Sequence, residues 1–366
     1  MKKYRLGQSR DAEDLDSGTA SSREGKAQSK RRQQSAERLS THIESHDADS
    51  LLQLPDATPW AHLPEAILIQ RHSQWVDLEL ADRSRLLATL SGKLKGVKLC
   101  CGDRVRYSPV PLEDPEHTLD ARLPSAQVMA VLPRRTLLKR GGLDDREPWQ
   151  LIAANADELW ICAAVVDPPL RPGLLERAQV LALGAGLSFR VIVTKRDRAS
   201  KKDTLPELDP LREQGVEIIE TSAVKGEGID RLRSILAHRI AVLVGHSGVG
   251  KSTLVNALRP DTELKTGGMT KFGTGRQTTT SARWLPLVGG GTLIDTPGIR
   301  TLSVRGFDRT LLSQVFPEFP SEWIEDPSGL DPEDEELDLA YPERLQSLQR
   351  LWAEMAERNP NQTGSR

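Results

Sequence analysis

Residues 240–253, IAVLVGHSGVGKST, constrain this chain more than any other stretch. An aliphatic run ends at Gly245, and the turn that follows fits G-x-x-x-x-G-K-[ST] as far as Ser252. Such a turn needs glycines so that backbone N–H groups can wrap phosphate oxygens, with a strand before it and a helix after it. The fold must then contain an α/β sheet that carries its binding loops at the carboxyl ends of its strands. Gly245, His246, Ser247, Gly248, Val249, Gly250, Lys251, Ser252 and Thr253 are the expected phosphate-binding residues. Lys251 is expected to reach the β and γ oxygens and to serve catalysis, and Ser252 to ligate Mg²⁺. His246 reads as a loop residue rather than a catalyst.

The flanking rhythm agrees. ELWICAAVV is the continuous apolar run of a strand buried on both faces. RPGLLERAQVLALGAGL reads as a helix with Pro172 near its start, FRVIVT and VEIIE as strands, and GIDRLRSILAH as a helix. Alternating strands and helices predict a doubly wound, mostly parallel sheet. LIDTPG then supplies Asp295 as a second Mg²⁺ ligand, with the Gly298 amide sensing the γ-phosphate. TKRD supplies the base reader. Asp197 can accept from N1–H and the exocyclic amine of guanine, the stem of Lys195 can cover the base, and Thr194 can brace the loop. A buried site left unpaired by the wrong base discriminates by about 10⁴. In TSA, Ser222 and Ala223 complete the guanine set, with the Ala223 amide facing O6. TKRD and TSA precede the phosphate loop, the reverse of the usual order. A parallel sheet tolerates this, because its loops meet at one edge whatever their order in the chain. The arrangement is a circular permutation, and the chain leaves the sheet directly after its γ-phosphate sensor.

The remainder is less specific. A length of 366 residues suits about two or three domains. A formal net charge of -2 gives no global basic field, so any nucleic-acid contact must be a local patch. Cys100, Cys101 and Cys162 make no disulfide framework, which suits a reducing cytoplasm. No apolar run approaches the ~20 residues that span a bilayer. Residues 1–60 read as a disordered arm, with SKRRQQ as a solvated segment. Residues 61–145 hold short alternating strands that predict a closed barrel, an OB-fold. In WVDLELAD, Val76, Leu78 and Leu80 should face in and Asp77 and Glu79 out. Lys93, Lys95, Lys98, Arg104, Arg106, Arg134, Arg135, Lys139 and Arg140 make the best local case for an RNA-facing surface. Few aromatics accompany them, so backbone contact is expected rather than sequence readout. Residues 146–305 form the nucleotide domain. Residues 306–366 form a small helical domain in which Leu345, Leu348, Leu351 and Met355 mark a packing stripe.

From about residue 65 to 320 the chain closely resembles the small ribosomal subunit biogenesis GTPase RsgA (EngC) family of circularly permuted GTPases. The resemblance rests on IAANADELWICAAV, TKRD, TSA, GHSGVGKST, GRQTTT, DTPGIR and FPEF. It implies an OB-fold, GTP/GDP and Mg²⁺ as ligands, and hydrolysis stimulated by the small (30S) subunit. It also implies contact with 16S rRNA and a role in late subunit maturation. By position, Thr278 and Thr279 match the family's first switch, where a threonine hydroxyl completes the Mg²⁺ shell. Ile299 stands where many GTPases carry a water-orienting glutamine and cannot polarise water. Gln277 stands where the family often has histidine, and is a catalytic candidate through its amide. The family's C-terminal zinc site of three cysteines and a histidine is not expected, because no Cys or His follows His246. The acidic stretch EWIEDPSGLDPEDEELD stands in its place and would repel RNA, so packing on the GTPase domain is expected of it. A monomer is expected. The competing reading is a regulatory GTPase that recruits protein partners through this acidic region. A P-loop kinase is disfavoured by TKRD and TSA.

Overall fold

The computed structural model describes residues 53–109, 125–144, 147–171, 173–200, 202–259, 282–296, 301–334 and 341–356. The first of these build a closed barrel: β1 (Glu65–Arg71), β2 (Trp75–Glu79), β3 (Arg85–Leu90), β4 (Arg104–Pro109) and β5 (Ala126–Val131). The order around the barrel is β1-β2-β3-β5-β4, with only the β3–β5 pair parallel, which is OB-fold topology. Leu68, Val76, Leu78, Ala88, Val105 and Val128 fill the interior. Val76 and Leu78 face in as expected, and Leu80 is half-buried. Glu79 does not face out: only 5% of it is exposed. It accepts from the indole N–H of Trp284, 205 residues away, at 3.1 Å. The same oxygen also accepts from Arg83 at 3.3 Å, but the partner on the other sheet lies beyond the reach of a period-two pattern.

A hairpin, β6 (Leu137–Asp144) and β7 (Glu147–Ala154), links the barrel to the next domain and was not expected from the sequence. Asn155 pins this junction, accepting from the Arg135 backbone N–H at 2.8 Å and donating to the Gly102 carbonyl at 2.9 Å. Gly102 is required here, because a Cβ would lie 2.1 Å from the Ala154 carbonyl oxygen.

The second sheet holds β8 (Glu158–Ala164), β9 (Ser188–Thr194), β10 (Ile218–Glu220), β11 (Ile240–Gly245), β12 (Arg283–Pro286) and β13 (Thr292–Asp295). Its order is β10-β9-β8-β11-β13-β12, parallel throughout except for β12 against β13. Every residue of β8 is buried, as its unbroken apolar run requires. The helices α1 (Leu174–Gly184), α2 (Asp209–Glu213), α3 (Ile229–Leu236) and α4 (Lys251–Leu258) connect these strands. Trp160, Ile192, Leu232, Leu243, Leu254 and Leu293 belong to one continuous core, where each such side chain contributes about 1.5–3 kcal/mol.

After β13 the chain continues into α5 (Leu312–Val315), α6 (Ser321–Glu325) and α7 (Pro342–Ala356). Leu345, Leu348, Leu351 and Met355 of α7 are buried, as the stripe predicts. Arg344, whose burial no local pattern foreshadows, is 3% exposed. It donates to Glu318 at 2.5 Å and to the Val315 carbonyl at 2.6 Å, and pairs with Glu176 of α1 at 3.3 Å. Glu354, one helix face further on, accepts from Arg177 of α1 at 2.8 Å and from the Val304 backbone N–H at 2.9 Å. The C-terminal helix is therefore fastened both to the sheet's own α1 and to the strand of chain that leaves β13.

The basic residues of the barrel divide. Arg104 and Arg106 pair with Glu65 at 2.6 and 2.8 Å. Arg134, 6% exposed, pairs with the fully buried Asp103, and Arg135 pairs with Asp157. Arg140 donates to Gln150 and to the Thr301 carbonyl. These arginines hold the barrel and its junction together; Arg134 is buried in doing so, whereas Arg104 and Arg135 keep more than half of their side-chain surface exposed.

Candidate nucleotide site

The strand registers bring the sequence motifs to one edge. Thr194 pairs with Ala164, Gly245 with Cys162, and Asp295 with Leu243, so β8, β9, β11 and β13 all end side by side. The base-reading turn follows β9, the phosphate loop follows β11, and Asp295 closes β13.

A direct bond joins the two inverted motifs. The Thr194 hydroxyl donates to the Val249 carbonyl inside the phosphate loop at 2.5 Å. Lys195 has a left-handed backbone, φ 61°, and its ammonium donates to the Asp167 carbonyl at 2.5 Å. Its stem runs beside the phosphate loop: a Cβ on Gly250 would lie 3.8 Å from Lys195 Cε. Asp197 sits in the short 3-10 turn Arg196–Arg198 and accepts from the Ser222 hydroxyl at 2.7 Å. That bond, with smaller help from the Lys225 and Arg198 charges, holds the half-buried Asp197 carboxyl below its ordinary range and keeps it an acceptor. Ser222 is itself fixed by the Lys225 backbone N–H at 3.2 Å. Ala223 packs partly buried against the sheet core. The Arg196 N–H donates to the Thr221 carbonyl at 3.2 Å, so the two base-reading turns brace each other.

The phosphate loop shows why its glycines are needed. A Cβ at Gly245 would fall 2.7 Å from the Cys162 carbonyl oxygen, and Gly248 and Gly250 have φ of 85° and 97°. Val249 is buried beneath the loop. Lys251 turns back on its own loop, donating to the carbonyls of Gly245 at 2.5 Å and His246 at 3.2 Å. Among the described residues the His246 ring bonds only to the neighbouring Ser247 carbonyl, at 3.1 Å. Ser252 and Thr253 are exposed in the first turn of α4. Asp295 carries the largest unmet demand. Burial pushes its carboxyl above the ordinary value near 3.8, against the opposing charges of Lys251 and Arg283. Its Oδ1 is buried and has no hydrogen-bond partner among the described residues. A buried carboxylate oxygen without a donor, in the field of Lys251, fits the oxygen ligation that Mg²⁺ requires.

Gln277, Thr278, Thr279 and Gly298 lie outside the described residues. Sequence reasoning missed three contributors. Lys225 and Thr296 adjoin the motifs, and Thr296 pins the end of β13 by donating to the Leu243 carbonyl at 2.7 Å. Asp167 acts through its backbone carbonyl, which carries no side-chain signal. Cys162, under the loop, has its thiol pushed up to about 12 by burial and stays inert.

Comparison with known proteins agrees with this geometry. A family profile described as RsgA GTPase matches residues 131–305. The small ribosomal subunit biogenesis GTPase RsgA of Gemmatimonas aurantiaca is 33% identical over 241 residues, 64% of this chain and 76% of that protein. Its counterpart in Chlorobaculum parvum is 36% identical over 219 residues, 60% of this chain and 70% of that protein. The crystal structure of YjeQ from Thermotoga maritima superposes with a TM-score of 0.57 at 27% identity, over 81% of this chain and 99% of that one. YloQ, described as a circularly permuted GTPase, shares the fold with a TM-score of 0.53 at 18% identity, over 80% of this chain and 96% of its own. An OB-type barrel ahead of a permuted phosphate-loop sheet is thus a shared architecture, and the chain belongs to the small ribosomal subunit biogenesis GTPase RsgA family: it is a GTPase.

Proposed function

We propose that this GTPase acts on the small (30S) ribosomal subunit during its late maturation, contacts 16S rRNA, and hydrolyses GTP faster when bound to the particle. One observation carries the guanine-nucleotide part: the Thr194–Val249 bond that fastens the base-reading turn to the phosphate loop despite their inverted order. The printed names of the relatives support the ribosomal part. So does Ile299, which leaves the position after DTPG without a water-orienting amide, so that full activity needs a partner's contribution.

In this reading Asp197, held ionised by Ser222, accepts from the guanine edge, and the Ala223 amide faces O6. The stem of Lys195 covers the base and Thr194 braces its turn. The amides of Gly245–Thr253 and of Gly298 receive the phosphates. Lys251 leaves its loop carbonyls for the β and γ oxygens. Ser252, Asp295 and a threonine of the Thr278–Thr279 pair would hold Mg²⁺, which would supply charge neutralisation at the phosphates. Gln277 orients the attacking water. Among the described residues no helix is long and apolar enough to cross a membrane. A cytoplasmic monomer is part of the same proposal.

The test is co-sedimentation with purified 30S subunits in a GTP analogue and in GDP, with hydrolysis measured alongside. Nucleotide-dependent binding and a rate raised at least tenfold support the proposal. Hydrolysis unchanged by the particles, with no co-sedimentation, favours the regulatory alternative acting through the acidic C-terminal region.

A further inference from the structure

We propose that Glu79 of the barrel is a positioning residue for the nucleotide site, acting through Trp284 to hold strand β12 and, through β12, the outer flank of Asp295. β12 is a four-residue strand that pairs with β13 on one side and ends the nucleotide-domain sheet on the other. Its antiparallel register sets Arg283 opposite Asp295, Trp284 opposite Ile294 and Leu285 opposite Leu293. On its inner side Asp295 is paired with Leu243 of β11, in the middle of the sheet. The outer side of the same residue therefore depends on where β12 lies. Side chains alternate along a strand. Leu285 joins the sheet's hydrophobic core, while Trp284, on the opposite face and only 5% exposed, turns to the barrel.

The contact that Trp284 makes there is selective for geometry. An indole N–H taken out of water needs an acceptor, and a buried carboxyl needs donors. Trp284 donates to Glu79 Oε1 at 3.1 Å, and Glu79 is itself 5% exposed. Arg83, from within the barrel, reaches the same oxygen at 3.3 Å while more than half of its side chain stays in solvent. An apolar pair of similar size would join the two domains with little regard to angle. A hydrogen bond weakens steeply away from its preferred distance and direction, so this one admits a narrow range of placements of the barrel against β12.

Another contact in the same seam works against it. Arg85, the cross-strand partner of Glu79 on β3, comes near Arg259 at the end of α4. Burial and, in smaller part, the like charge of Arg85 hold the Arg259 guanidinium below its ordinary value. These two charges push the barrel away from the nucleotide domain, and the Glu79–Trp284 bond draws it in. The turn of the β12–β13 hairpin is fixed by other means. There the Leu287 N–H donates to the Gly291 carbonyl at 3.0 Å, and the Thr292 N–H to the Arg239 carbonyl at 2.8 Å. The hairpin is thus held at its turn by the sheet and at its open end, beside Asp295, by the barrel.

The role of Glu79 rests on the proposed place of Asp295 in the Mg²⁺ shell. The test uses the full chain and titrates Mg²⁺ against the binding of a fluorescent mant-GDP, with folding checked by thermal melting. Trp284→Phe keeps an aromatic ring and deletes the N–H. It should raise the Mg²⁺ midpoint about fivefold, the loss of one hydrogen bond, and leave Mg²⁺-free affinity within about twofold of wild type. Hydrolysis at limiting Mg²⁺ should fall with it and recover in excess Mg²⁺, which a merely structural lesion would not do. Glu79→Ala should behave in the same way, and Glu79→Gln, whose amide oxygen still accepts, should return close to wild type. Combining Trp284→Phe with Glu79→Ala should add little to either alone, because both remove one bond. Arg83→Ala, which leaves that bond in place, should match wild type. If Glu79→Ala fails to fold, Trp284→Phe and Glu79→Gln carry the comparison. A wild-type Mg²⁺ midpoint in Trp284→Phe would overturn the proposal. So would Arg83→Ala as impaired as Trp284→Phe, or Glu79→Gln as impaired as Glu79→Ala. Asp295→Asn, run in parallel, tells the two failures apart. An unchanged midpoint there removes Asp295 from the metal and the proposal with it. A midpoint shifted there but not in Trp284→Phe sinks the role of Glu79 alone.

Discussion

The two edges of the nucleotide-domain sheet treat charge in opposite ways. At the amino edge Glu158 is fully buried, yet both its oxygens are engaged. One accepts from the Trp160 indole at 2.7 Å and the other pairs with Arg239 and, at 3.3 Å, with Arg190. Asp157 beside it accepts from the Ile240 backbone N–H and from Arg135, each at 2.7 Å. At the carboxyl edge Asp295 keeps a buried oxygen without a donor, and Lys251 has nothing better than its own loop's carbonyls. A closed polar network stabilises and specifies; an open one lowers stability until a ligand completes it. Among the described residues Asp295 Oδ1 is the one buried carboxylate oxygen without a partner, although Arg190 Nε at the amino edge also lacks one.

The largest effect should come from specificity at the carboxyl edge. Asp197→Asn should lower the preference for GTP over XTP by roughly 10³- to 10⁴-fold, since the acceptor is replaced by an amide. Competition binding reads this directly, and intact guanine preference would break the assignment. Next, Lys251→Ala should cut hydrolysis by roughly 10³-fold while leaving the melting temperature nearly unchanged, because Lys251 anchors only its own loop. Near-normal turnover would remove Lys251 from the chemistry.

The reverse pattern belongs to the amino edge. Glu158→Gln should destabilise the fold by about 3 kcal/mol, as breaking a buried ion pair does, with GTP affinity within about twofold of wild type. Denaturant titration and nucleotide binding together check it. A variant that is stable but poor at binding GTP would contradict the contrast between the edges.

The smallest effect is the most discriminating. Asp295→Asn should raise the stability of the nucleotide-free protein by about 1 kcal/mol at neutral pH, because it removes a buried charge lacking a donor. Burial raises the Asp295 carboxyl, so the folded state holds that proton more tightly than the unfolded chain does. Its contribution to stability is therefore greatest below the ordinary value near 3.8, falls as pH climbs towards the raised value, and does not return above it. The variant should lose that decline and also lose Mg²⁺-dependent hydrolysis. Unfolding curves across pH 3–7 test the first claim.

Much of this was legible in the residues. GHSGVGKST, the apolar run of β8 and the strand ends at Thr194 and Asp295 are local signals, since a turn's glycines and a strand's burial are encoded within a few positions. What escaped depends on partners distant in sequence. Glu79 alternates like a surface residue, and Trp284 on another sheet, together with Arg83, makes it an interior one. Arg134 reads as a phosphate ligand until Asp103 is found beneath it. Arg344 looks like one more charge on a polar helix face, but it closes the contact between α7 and α1. Charge is visible in sequence; its pairing is not. The β6–β7 hairpin escaped for a related reason, since LLKRGGLD and EPWQLIAA alternate too weakly to declare strands without each other.

A crystal structure bound to a non-hydrolysable GTP analogue and Mg²⁺ tests the central claim most directly. The account predicts the guanine N1 and exocyclic amine within 3.2 Å of Asp197. It also predicts the γ-phosphate on Lys251 and the metal ligated by Asp295 or by a water that Asp295 holds. A purine ring remote from Asp197, with the phosphates still in the loop at Gly245–Ser252, would contradict the convergence of the two motifs on one nucleotide.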